Sequence, residues 1–148
     1  MCLQMQSTLN NIIEDNKPIL FNKSIINANP NITYDYNTGH FTIKSDGIYY
    51  IRWWANIHSC SDSNYASFSI NSCRGHNIES CTTKMEQLCG DAIIPVSNSH
   101  LKFSLKNNSN SNVSLCPYTN IKANICIFKI SNTYIKDYDM PFKKFINF

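Results

Sequence analysis

The stretch Phe41–Cys60, FTIKSDGIYYIRWWANIHSC, decides the fold. From Ile48 onward its odd positions, Tyr49, Ile51, Trp53, Ala55 and Ile57, are all apolar. Successive strand side chains point to opposite faces, so this spacing predicts a β-strand with one fully buried face. The even positions are Ile48, Tyr50, Arg52, Trp54 and Asn56. A face in water would be polar throughout, yet Ile48, Tyr50 and Trp54 are large and apolar. Something must cover this second face as well.

Working outward, the chain shows short apolar runs broken by turn residues, and no run with apolar matches at helical spacing through its centre. Strands are expected near 18–22, 40–45, 47–58, 64–71, 76–80, 90–95, 100–106, 112–116 and 121–130. Turns fall at Asn37-Thr38-Gly39, Ser45-Asp46-Gly47, Ser61 to Asn64 and Arg74-Gly75. KNNSNSN, Lys106–Asn112, reads by composition as a solvated hairpin tip. Residues 1–16 carry only a weak amphipathic pattern at Leu9, Ile12 and Ile13, expected as a frayed helix or extended arm. The domain proper is expected over 17–131, with 132–148 as a C-terminal tail.

Strand 100–106 alternates cleanly, Leu101, Phe103 and Leu105 against His100, Lys102 and Ser104. Strand 121–130 does not: Ala123, Ile125 and Ile127 form one face, Asn124, Cys126, Phe128 and Ile130 the other. In a two-sheet sandwich each sheet has one face in water. Two strands that are apolar on both sides therefore call for a cover over one sheet.

The 148 residues suit one domain with a proper core, and 43% hydrophobic with 16% charged residues is globular composition. The net charge of +3 is mild and Lys143-Lys144 is the only adjacent basic pair, which argues against nucleic-acid binding. No apolar run is long enough to span a membrane. The N-terminus MCLQMQSTLNNIIEDNKP lacks a basic segment followed by an apolar one, so no signal peptide is read there. The chain is expected either to stay in the cell that makes it or to be part of a longer protein.

Seven cysteines, Cys2, Cys60, Cys73, Cys81, Cys89, Cys116 and Cys126, leave at least one unpaired within the chain. Such density suggests an oxidising or cross-linked destination, with Cys60, Cys73, Cys81, Cys89 and Cys116 as candidates for disulfides or cross-links. The alternative is reduced thiols acting as small hydrophobes, which Cys126 fits best. His58 and Cys60 at one strand end, with Cys73 and His76 in the next connection, offer four potential zinc ligands, but at a spacing that matches no strong template. A Cys60–Cys73 disulfide competes for the same residues, and no resident metal or cofactor is expected. His40, His58, His76 and His100 adjoin no nucleophile elbow and no paired-carboxylate motif stands out, so enzyme activity is not expected. Four glycines, Gly39, Gly47, Gly75 and Gly90, cannot make a Walker or dinucleotide motif. The N-glycosylation sequons at Asn22, Asn31, Asn107 and Asn112 are no more than an Asn- and Ser-rich composition produces.

Asn29, Tyr34, Phe41, Gly47, Tyr49, Ile51 and Trp53 stand at the spacings of a known fingerprint, and with them the chain resembles the C1q-like domain, a relative of the tumour necrosis factor family. Lys23 occupies that fingerprint's first aromatic position, with Phe21 two residues earlier, while Ile51 and Trp53 replace other bulky residues. YASFSINSC, HLKFSL and NICIFKI resemble later strands of the same domain. The resemblance implies an all-β, two-sheet antiparallel jelly-roll sandwich that assembles as a homotrimer. It also implies a cover for the second face: Ile48, Tyr50, Arg52, Trp54, Phe128 and Ile130 would meet neighbouring subunits. The alternative is that the N-terminal arm or the C-terminal tail covers them within one chain.

The implied function is a non-enzymatic, self-trimerising module of a surface or extracellular assembly. The chain is similar to the C-terminal domains of collagen-like glycoproteins on bacterial spores, although it contains no Gly-X-Y repeat. Assembly inside a mother cell would suit both many cysteines and the missing signal peptide. The alternatives are a secreted trimeric ligand reading a receptor or glycan through loops Ser59–Asn64, Asn71–Asn77 and Asn107–Asn112, and a virus-like surface knob.

Overall fold

A computed structural model describes residues 1–83, 86–98 and 100–132. The expected C-terminal tail, apart from Asn132, lies outside the described residues. The described chain is all β: β1 (Cys2–Ser7), β2 (Ile12–Ile13), β3 (Lys23–Asn27), β4 (Ile32–Asp35), β5 (His40–Ile43), β6 (Gly47–Cys60), β7 (Ala66–Ser72), β8 (Asn77–Thr82), β9 (Gln87–Val96), β10 (Leu101–Asn107), β11 (Val113–Leu115) and β12 (Ala123–Ser131).

The strands form two antiparallel sheets with jelly-roll connectivity. One runs β3-β1-β12-β6-β9, with β11 on the far end of β6 and β2 beyond it. The other runs β4-β5-β10-β7-β8. β6 is the hub, pairing with β12, β9 and β11. Its odd residues Tyr49, Ile51, Trp53, Ala55 and Ile57 are buried between the sheets, as period-2 alternation requires. Ile125 and Ile127 from β12, Ile94 and Val96 from β9, and Phe41, Phe68, Ile70, Phe103 and Leu105 from the facing sheet complete that core.

An aromatic chain runs through one end. Tyr34 and Phe41 have ring centroids 4.5 Å apart, Phe41 stacks on Phe103 at 5.2 Å, and Phe21 meets Phe41 edge-on at 5.8 Å. Tyr34 is half-buried, and its hydroxyl accepts a hydrogen bond from the Phe21 amide at 2.8 Å. Asn29 is fully buried; its Oδ1 accepts from the Asn31 amide and its carbonyl from the Ile32 amide, which turns the chain into β4. Gly47 opens β6 at φ +148°, where a Cβ would stand 2.4 Å from the Ser131 carbonyl oxygen.

Several expectations need correction. Residues 2–7 are not an arm outside the domain: β1 lies between β12 and β3, with Leu3, Met5 and Ser7 buried. The run is short and holds none of the β-branched or aromatic residues that favour strands, so the alternation Leu3, Met5 carries little signal. The expected strand 18–22 is reduced to an isolated bridge at Pro18, although Ile19 and Phe21 are both buried. Strand β3 follows instead, exposed along its whole length and so without alternation. The Lys106–Asn112 segment is no solvated tip, because Asn107, Ser109 and Ser111 are buried. Asn107 Nδ2 donates to the carbonyls of Ile13 and Ser111, and Ser109 Oγ accepts from the Ser67 amide, forming a polar plug at one end of the sandwich.

Candidate functional site

The outward face of the first sheet is built by register. Tyr50 of β6 pairs with Phe128 of β12 on one side and Ile93 of β9 on the other, and Phe128 in turn pairs with Cys2. The next row runs Asp91, Arg52, Cys126, Gln4, and the one after it Cys89, Trp54, Asn124, Gln6. Tyr50 and Phe128 stack with centroids 6.4 Å apart. Ile93 is 64% exposed, Ile130 56% and Phe128 39%, while Ile48, Tyr50 and Trp54 are half-buried. Ile93, Tyr50 and Phe128 form an apolar row, with Trp54 across the Arg52 row from it, and nothing covers them among the described residues.

Arg52 sits exposed within it, beside Asp91, whose carboxylate accepts from the Tyr50 hydroxyl at 3.3 Å. Tyr50, Arg52, Glu79, Cys89 and Asp91 line an open hollow of ≈550 Å³ at the β9 edge. A charged centre ringed by apolar groups is suited to an interface, where the Arg–Asp pair can set orientation.

All six residues expected at an interface thus lie on β6 and β12 of one sheet, with Ile130 displaced to a bulge between Lys129 and Ser131. Sequence reading missed Ile93, because Ile93 and Ile94 are equally apolar and only register tells which one points out. Cys126, expected as a reduced thiol acting as a small hydrophobe, is a free thiol half-buried on the outward row.

The cysteines are dispersed and all seven are free thiols. Cys73, Cys81 and Cys89 are exposed, and burial pushes the Cys60 thiol up. Cys60 ends β6 where the Ser61 amide meets the Asn112 carbonyl, whereas Cys73 follows β7 and its amide meets the Lys102 carbonyl. The seven-residue β7 separates the two ends by about 23 Å, at about 3.3 Å per residue. A disulfide needs Cα atoms within about 7 Å, so neither a Cys60–Cys73 bond nor a zinc site joining the two ends can form within one chain. His58 packs edge-on against Tyr118, and His76 Nδ1 lies 2.8 Å from Ser72 Oγ.

A profile of the C1q domain matches residues 3–97. No curated protein matches the chain significantly. Among solved structures, the globular domain of zebrafish complement 1qA has 17% identity and a TM-score of 0.68, covering 89% of this chain and 98% of its own. Eiger TNF from S. frugiperda has 10% identity and a TM-score of 0.71, covering 95% of this chain and 98% of its own. Murine APRIL has 11% identity and a TM-score of 0.63, covering 87% of this chain and 98% of its own. At these identities the structures speak for the fold, and the profile, spanning more than half of the sequence, speaks for descent: the chain belongs to the C1q domain family.

Proposed function

We propose that this protein is a non-enzymatic homotrimeric building block of an extracellular or surface assembly. Its three copies pack the outward faces of their first sheets around a common axis. C1q and TNF-like domains typically homotrimerise, generally lack enzymatic activity and are typically extracellular, which supports the reading. The observation that carries it is the gathering of Ile93, Tyr50, Phe128, Trp54 and Ile130 on the outward face of one sheet. Exposed apolar area of this kind marks an interaction surface. Several buried aromatics per subunit can offset the roughly 4–15 kcal/mol cost of association.

A coat role, in a layer such as a bacterial spore surface, is favoured over a diffusible ligand by the exposed thiols of Cys73 and Cys81, which lie off the proposed trimer face and are accessible for cross-links between trimers. The loop 107–112, a candidate recognition loop for a ligand, spends its buried side chains on internal hydrogen bonds instead.

Light scattering on purified protein tests the assembly. The wild type is expected at three times the chain mass, and Trp54→Asp is expected to fall to monomer while keeping its β-type circular dichroism. A monomeric wild type defeats the reading. A folded Trp54→Asp trimer shows that another face is used. Non-reducing electrophoresis of native material separates the two roles, since high multimers that dissolve in reductant belong to a coat and discrete trimers to a ligand.

A further inference from the structure

The outer face of the second sheet, on the opposite side of the sandwich, carries a different chemistry. Lys102, Ser104 and Lys106 alternate along β10, the lysines toward solvent and Ser104 sheltered between them. Asn71 of β7 lies opposite Ser104, and Thr42 of β5 lies opposite Lys102, which places His40 next to Ser104 on the same face. His40, Asn71, Cys73, Lys102, Ser104 and Lys106 line an open cavity of ≈280 Å³.

Two buried polar atoms in this cluster have no partner. Ser104 is 1% exposed and its Oγ makes no hydrogen bond among the described residues, and the same holds for His40 Nδ1. An unpaired buried hydroxyl is unfavourable, so the site forgoes stability that one bound acceptor would restore. Neither lysine ammonium donates a hydrogen bond among the described residues. Their Cα atoms stand about 13 Å apart, four residues at about 3.3 Å each, with Ser104 midway. Two long flexible side chains can close from both sides over one anion at that point.

Two carboxylates stand nearby, and that of Asp35 attracts the Lys102 ammonium. Asp35, across β5, is held by the Asn37 amide and the Thr38 hydroxyl, and Glu79, on β8, accepts from Ser67 Oγ. Asn71 spends its amide on Ser69 and serves only as a wall.

We propose that this cavity binds a tetrahedral oxyanion, a sulfate or phosphate group. Lys102 and Lys106 clamp it and the Ser104 hydroxyl donates from the floor. His40 is linked to occupancy. Burial, then Lys102 and Lys106, hold its pKa below the ordinary histidine value, while Asp35 and a backbone bond at Thr38 pull the other way. A dianion between the lysines cancels their effect, so binding draws a proton onto His40 and strengthens as pH falls. The site lies away from the proposed trimer face and does not depend on that reading.

Inorganic sulfate and inorganic phosphate, titrated separately into intact protein, test the proposal by calorimetry and by the His40 ring resonances. Saturable one-to-one binding and an upward shift of the His40 pKa on saturation are expected. Lys102→Gln with Lys106→Gln is expected to weaken binding at least about tenfold, or about 1.4 kcal/mol. The control pair Lys23→Gln with Lys44→Gln, of equal charge change, is expected to leave it intact. Ser104→Ala is expected to weaken binding without lowering thermal stability, which separates an anion donor from a structural hydroxyl. The proposal is overturned by a non-saturating response, by equal weakening in the control pair, by undiminished binding in Ser104→Ala, or by acetate binding as tightly as sulfate.

Discussion

Gly90 shows how one position can be dictated by its neighbours. It faces inward on β9 opposite Trp53, and a Cβ there would stand 2.5 Å from the indole Cζ2 and 2.6 Å from Ser80 Oγ. The indole is fully buried in a core packed to crystal-like density and has no room to retreat. Gly90→Ala is expected to cost about 1–3 kcal/mol through overpacking, read as a lower urea midpoint at unchanged slope. Tyr34 is a second case. Desolvation pushes its phenol up to about 12, so the fold favours the neutral form. The folded pKa exceeds the unfolded one, so this contribution is complete below the unfolded tyrosine value, about 10, and is lost as pH rises toward 12. Stability should therefore decline across that window in wild type and less steeply in Tyr34→Phe. The variant should also lose about 1–3 kcal/mol at neutral pH, because the Phe21 amide loses its acceptor. Equal alkaline slopes in the two proteins would count against this role for Tyr34.

Among elements, β6 and the loop 107–112 stand at opposite ends of legibility. β6 carries a long alternation over Tyr49, Ile51, Trp53, Ala55 and Ile57, and its burial follows the sequence residue by residue. The loop reads as polar and exposed, yet Asn107 bonds the Ile13 and Ser111 carbonyls and Ser109 bonds the Ser67 backbone. Polar composition signals water only when no internal partner exists, and here the partners come from β2 and β7, distant in sequence. Asn107→Ala is expected to orphan both carbonyls at about 1–3 kcal/mol each, measured by thermal or urea unfolding. A loss under about 0.5 kcal/mol would mean that water replaces the amide at no cost. β1 was hidden for a related reason: its hydrogen-bond partners are β12 and β3, and no local pattern announces a strand whose neighbours lie at the other end of the chain.

At the scale of the whole molecule, the two outer faces differ in kind. One is apolar around Arg52 and Asp91 and is the proposed trimer face; the other is polar and cationic around Ser104 and is the proposed oxyanion site. Packing the first around an axis leaves the second turned to solvent, so assembly and anion binding are expected to be independent. Trp54→Asp should therefore retain sulfate binding, and Lys102→Gln with Lys106→Gln should retain the assembly state, both checked by calorimetry and light scattering on the same samples. The sequence by itself determined that the chain is all β and which residues of β6 are core, and it raised the expectation of a cover over Tyr50 and Trp54, because a period of two is a local property of the chain. Only the tertiary structure decided that β1 is interior, that Ile93 points outward, that Cys60 and Cys73 lie at opposite ends, and that Ser104 and His40 share a cavity. Each of these depends on strand register and on which strands become neighbours, and both are set by long-range pairing that no stretch of sequence encodes alone.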